Sequence, residues 1–136
     1  MDLEKSLFMK VVIINAFDTL NERMEMVHRY FDMRKEEVKI FISNFSHRHK
    51  SYVKSSPYTL IEVPPYQKNL SRQRIQSHLH FSKKVIQQLE QQEEPDCIYA
   101  IIPPNSLVKQ LAQYKKKHPQ VKIIVDIQDL MRKCLL

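Results

Sequence analysis

Glycine is absent from the 136 residues, where average usage of about 7% would supply roughly nine or ten. That excludes a Walker A loop, a glycine-patterned dinucleotide fingerprint and an EF-hand loop, since each needs glycine for positive φ or close backbone approach. Left-handed backbone positions are therefore expected at asparagines, of which five are available: Asn15, Asn21, Asn44, Asn69 and Asn105. Cysteine occurs only at Cys97 and Cys134, which makes neither a disulfide framework nor a zinc site. Cys97 sits in the apolar run Cys97–Ile102 and reads as a small buried hydrophobe. Long hydrophobic stretches are also missing: none approaches the ~20 residues of a membrane span. The acidic start Met1-Asp2-Leu3-Glu4 has no signal-peptide core. The expected compartment is reducing and cytoplasmic.

What is present fits one globular domain. Hydrophobic residues make up 43% and charged residues 27%, a balance that supports a single core at this length. The net charge is +7, and its placement is uneven. Residues 1–43 hold seven Lys/Arg against eight Asp/Glu, residues 44–84 eight against one, and residues 85–136 seven against six. The middle third thus carries the whole excess, which favours a polyanionic partner.

Lys10-Val-Val-Ile-Ile-Asn15 is a continuous β-branched run without polar alternation, so it predicts a strand buried on both faces. Thr19-Leu-Asn-Glu22 has the form of a capping box, followed by an apolar stripe at Leu20, Met24, Val27 and Phe31. Further strands are expected at Val38–Ser43, Tyr58–Val63, Cys97–Ile102 and Val121–Val125. Ser71 is placed to cap a long helix reaching about Gln92, with Ile75, Leu79, Ser82, Ile86 and Leu89 on one face. Asn105 or Ser106 caps another, which ends in Lys115-Lys116-Lys117-His118, cations at the negative end of the helix dipole. The Phe45–Pro57 link shows no helix pattern. Alternation of apolar strands and helices predicts an α/β fold: a Rossmann-like, doubly wound, mostly parallel sheet of about five strands with flanking helices.

In such a sheet ligands bind beyond the carboxyl ends of the strands, where strand order reverses. That rule points to a crevice between the first and fourth strands, formed by Asn15, Ala16, Phe17, Asp18 and Thr19 on one side and Pro103, Pro104, Asn105 and Ser106 on the other. Both loops enter helix N-termini, whose free N–H groups suit phosphate or carboxylate; simple capping explains the same residues. His78 and His80, two apart on a helix, point about 200° apart and cannot share an ion. His47 and His49 lie among Arg48 and Lys50 and read as a solvated basic loop. No metal site, no nucleophile–base pair and no acidic phosphoacceptor pair is visible. Basic residues without an RNA-stacking signature argue against nucleic acid as the partner.

The order and spacing of several words resemble the N-terminal domain of bacterial family 4 glycosyltransferases, retaining two-domain (GT-B) enzymes of cell-surface polysaccharide synthesis. These words are Lys10–Asn15, Ser43-Asn-Phe-Ser-His47, Pro65-Tyr-Gln-Lys-Asn-Leu-Ser71 with Arg74, Pro95-Asp96 leading to Ile101-Ile-Pro-Pro-Asn-Ser106, and Val125-Asp-Ile-Gln-Asp-Leu130. The last is similar to the family's Asp-Leu-Trp-Pro-Glu segment, although here Met131-Arg132-Lys133 stand where the family continues with Trp-Pro-Glu. The family's glycine-rich first loop is replaced by Asn15-Ala16-Phe17-Asp18-Thr19, which leaves any pyrophosphate contact there to Asn and to helix N–H groups.

The resemblance implies an acceptor-side domain that binds no cofactor itself. It implies a donor nucleotide-sugar held by a C-terminal domain or separate subunit that this chain lacks, and a lipid-linked or saccharide acceptor. It further implies Asp129 as a catalytic-site residue with Gln128 beside it. Arg48, Lys50, Lys54, Lys68, Arg72 and Arg74, next to Tyr52, Tyr58 and Tyr66, are expected to form a face toward anionic lipid on the inner side of the cytoplasmic membrane. Two other classes stay open: a flavodoxin-like module for a phosphorylated ligand, and a basic nucleic-acid-binding or adaptor protein.

Overall fold

A computed structural model describes residues 8–128. The chain runs β1 (Lys10–Asn15), a 3-10 turn (Asp18–Leu20), α1 (Asn21–Met33), β2 (Glu37–Ser43), β3 (Phe45–Ser46), β4 (Ser51–Tyr52), β5 (Thr59–Ile61), α2 (Arg72–Gln91), β6 (Cys97–Ile102), α3 (Ser106–Lys117) and β7 (Lys122–Ile127). Five strands form one parallel sheet in the order β5-β2-β1-β6-β7, while β3 and β4 make a separate antiparallel hairpin. This is a Rossmann-like α/β fold, with strand order reversing between β1 and β6.

The β-branched run of β1 supplies both layers of the core. Val12 and Ile14 face Phe81, Val85 and Leu89 of α2 and Leu107, Leu111 and Tyr114 of α3. Val11 and Ile13 face Met24, Val27 and Phe31 of α1. Cys97 is buried on the α1 side. Edge strand β7 is half-covered and leaves Ile124, Val125 and Ile127 exposed. Among the described residues no helix is long and apolar enough to cross a membrane.

Several local expectations are corrected. The positive-φ residues are Lys35 (φ 59°) and Lys50 (φ 53°), not asparagines; both sit in tight connections whose hydrogen bonds fix the turn, with Lys35 N donating to Asp32 O and Lys50 N to Ser46 O. The capping box at Thr19–Glu22 does not form. The 3-10 turn occupies that segment, Leu20 N donates to Phe17 O, and α1 starts at Asn21 without a side-chain cap. Ser71 does cap α2, its Oγ accepting from Arg74 N at 3.1 Å. Yet Ile75 and Leu79 of the expected stripe are 60% and 45% exposed. The buried stripe is Ser77, Phe81, Ser82, Val85 and Leu89, with Phe81, Val85 and Leu89 in the core shared with the sheet and α3. Ser82 Oγ meets Ser106 Oγ at 2.8 Å, tying α2 to α3. Asn105 takes the N-cap place of α3 but makes no side-chain cap bond. The third strand is shorter than expected, Thr59–Ile61, and the last runs to Ile127.

The basic end of α3 is more than a wet terminus. Lys115 Nζ donates to the carbonyls of Pro119 and Val121. His118 stacks on Tyr114 and bridges to α2, its Nδ1 2.6 Å from Glu94 and its Nε2 3.0 Å from Glu90. Those two hydrogen bonds raise the imidazole above its ordinary 6.5. A raised folded value means the clamp stabilises fully below pH 6.5 and loses its effect as pH rises through that higher value. The difference in thermal midpoint between the native chain and His118→Gln is expected to be larger near pH 6 than near pH 9. An equal difference at both would show that the ring acts by packing alone.

Candidate functional site

The two loops singled out by the switch-point rule lie at the same, carboxyl end of the sheet, since β1 and β6 are parallel and Asn15 pairs with Ile101. A hollow at that end, however, opens on the other side of β1, toward β2 and the hairpin. It is a cleft of about 410 Å³, within the usual range of small-molecule sites. Its floor is Asn15, Ala16, Ile42 and Ser43, one wall is Met24 and Glu25 of α1, and the other is the β3–β4 hairpin with the Val53–Tyr58 segment.

Asp18 builds this cleft. Its Oδ2 accepts from Ser46 Oγ and its Oδ1 from Arg48 N, which draws the hairpin down onto the loop after β1. Ser46 Oγ also accepts from His49 N. Asn15 is 1% exposed and holds the loop from inside, accepting from Phe17 N at 3.3 Å and donating to Asn21 Oδ1 at 3.2 Å. Its amide is engaged in closing the loop, and so is not spare for a phosphate. On the opposite rim Tyr58 donates to Glu25 at 2.6 Å, and that bond, with burial, pushes the phenol up to about 12. Tyr58 therefore stays a neutral donor.

The cleft surface is rich in hydroxyls: five serines (Ser43, Ser46, Ser51, Ser55 and Ser56) and two tyrosines (Tyr52 and Tyr58) line it. Sequence reasoning missed this wall. Its trace was the serine-dense stretch from Ser43 to Ser56, which carries no helical or strand period.

Of the expected crevice residues, Asn15, Ala16 and Asp18 come together in the cleft. Phe17 is buried, its ring packed against His47 (4.7 Å) and His78 (4.9 Å). Thr19 and Asn105 are exposed, Pro104 is buried, and Ser106 is turned toward Ser82 and the His78 carbonyl. Gln128 lies at the far side, its backbone N–H on Ile102 O and its side chain on Asp126. Asp126 in turn accepts from Arg23 at 2.7 Å and Tyr99 at 2.6 Å. Asp129 lies outside the described residues.

The histidine loop is not simply solvated. His47 Nδ1 meets Tyr66 OH, and His47, Tyr66, Phe17 and His78 form one aromatic cluster. Burial, then Arg74 and His47, pushes His78 down to about 4, so it is neutral, and its Nε2 is buried without a partner. Two of the expected basic residues converge on this cluster. Lys50 Nζ lies 5.4 Å from the Tyr66 ring centre, and Arg74 Cζ lies 5.8 Å from that of Phe17. Arg74 also donates to Asn69 O at 2.7 Å. Arg48, Lys54, Lys68 and Arg72 are exposed. Lys68 borders a second hollow, also about 410 Å³, with Tyr66 and Ser71. Among the described residues no three His, Cys, Asp or Glu side chains are grouped to hold a metal ion.

Fold and cleft together define a Rossmann-like domain with a hydroxyl-lined, ligand-sized cleft at the carboxyl end of its sheet. No family model, no curated protein and no solved structure matches the chain.

Proposed function

We propose that the chain is the acceptor-side domain of a retaining glycosyltransferase, in which the cleft between β1, β2 and the hairpin receives the sugar of a lipid-linked or saccharide acceptor. The observation that carries this reading is the cleft lining. Serine and tyrosine hydroxyls each donate and accept, which matches a polyhydroxylated ring better than a flat aromatic cofactor. A nucleotide-sugar donor is supplied by a second domain or subunit, which also meets the charge developing on the leaving diphosphate. The work of this chain is to bind and orient the acceptor. Its exposed cations rest on anionic lipid or on an acceptor diphosphate, placing the enzyme at the inner face of the membrane.

A thermal-shift screen of the full chain tests this reading. Neutral oligosaccharides and short-chain prenyl-diphosphate sugars are expected to raise the midpoint, because a ligand that binds only the folded state stabilises it by mass action. A response to flavins or nucleotides alone would move the protein to a cofactor-binding module. Tight, steeply salt-dependent RNA binding would move it to nucleic-acid recognition.

A further inference from the structure

The cleft is built largely from the most basic part of the chain, yet it contains none of that charge. Residues 44–84 carry eight Lys/Arg against one acidic residue, but none of the described residues lining the cleft is Lys or Arg. The charged side chains that do line it are carboxylates, Asp18 and Glu25, with His49 the remaining titratable group apart from the tyrosines. Two cations of the same segment are engaged elsewhere: Lys50 with the His47 carbonyl and over Tyr66, Arg74 with the Asn69 carbonyl and over Phe17.

Resting on the saccharide reading above, we propose that the cleft selects an uncharged or amine-bearing sugar ring and rejects acidic sugars, with Glu25 as the specificity-determining residue. A carboxylate or phosphate on the bound ring would need a charge-assisted partner. It would find hydroxyls, amides and two like charges instead. Such a group gains no charged partner there, and Coulomb repulsion from Glu25 opposes it. An ammonium on the ring gains from the same carboxylate. Asp18 contributes less to the choice, because both its oxygens already accept hydrogen bonds from the hairpin. Glu25 keeps one oxygen less committed: Oε1 accepts the Tyr58 hydroxyl hydrogen bond, while His28 Nδ1 stands 3.9 Å from Oε2. The acceptor is thereby sorted by charge along its length, with a neutral or cationic sugar in the cleft and any anionic portion outside on the basic surface.

The test is a titration of the isotope-labelled full chain with methyl glucoside, methyl glucosaminide and methyl glucuronide, followed by amide shifts at Ser43, Ser46 and Tyr58. All three sugars are titrated at the same pH and ionic strength. The glucoside and glucosaminide are expected to bind in the cleft at least about 10-fold more tightly than the glucuronide, a ratio worth roughly 1.4 kcal/mol. Glu25→Gln retains an acceptor for Tyr58 and is expected to narrow the glucoside-to-glucuronide ratio about fivefold. Equal binding of the three sugars in the cleft, or a ratio that Glu25→Gln leaves unmoved, overturns the charge selection while the saccharide reading stands. Absence of cleft shifts with all three sugars overturns the saccharide reading itself.

Discussion

Reversing Arg48, Lys68 and Arg72 to glutamate is expected to weaken binding of the chain to anionic vesicles by about 100-fold at low salt. Each Lys or Arg near an anionic leaflet contributes on the order of 1 kcal/mol, so losing three attractions amounts to about 3 kcal/mol before any new repulsion. The three are chosen for their geometry. Arg48 lies between β3 and β4, Lys68 in the connection from β5 to α2, and Arg72 at the first position of α2, and all are exposed. Each follows the carboxyl end of a parallel strand, so they share one end of the molecule. Arg74 is left native, because its guanidinium holds the Asn69 carbonyl and covers Phe17; reversing it would confuse attachment with loop stability. Co-sedimentation with vesicles of rising anionic-lipid content measures the effect, and physiological salt should reduce it as screening shortens the interaction range. Binding that ignores anionic lipid, or that the triple variant retains, would show that the charge serves solubility.

Phe81→Ala is expected to be the most destabilising of these changes, by about 3–5 kcal/mol. Phe81 is 1% exposed and stands where α2 meets the sheet, in the same cluster as Ile14, Ile98 and Leu107. It also borders the small hollow beside Tyr66 and His78. Truncation removes the ring's burial and leaves a void that the sheet cannot close. For a chain whose total stability is of order 5–15 kcal/mol, the thermal midpoint should fall by about 10–20 °C. A fall of only a few degrees would mean that α2 can shift to fill the space. The sugar-induced shifts at Ser43 and Ser46 should weaken in the same variant, since the aromatic cluster supports the hairpin side of the cleft through His47 and Tyr66.

Much of the scaffold is legible in the sequence because its signals are local. Continuous apolar runs predict β1 and β6 as buried strands, and Ser71 predicts the start of α2 through a hydroxyl three residues from its partner N–H. Alternation of these elements is enough to specify a parallel, Rossmann-like sheet and the end of it at which a site belongs. The side of β1 on which the cleft opens is not encoded that way. It follows from Asp18 meeting Ser46 and Arg48, and from Glu25 meeting Tyr58, pairs separated by 28, 30 and 33 residues. Periodicity carries no information about such partners. The same limit applies to His47, which reads as part of a wet basic loop until Phe17 and Tyr66 close around it. It applies equally to His118, whose carboxylate partners lie on α2 and in the connection that follows it. Composition and period by themselves determined the class of fold and where the cations lie along the chain. Only tertiary contact decided which hydroxyls and carboxylates share a cleft and that the cations stay out of it, because hydrogen bonds and charge pairs act between residues that folding alone makes neighbours.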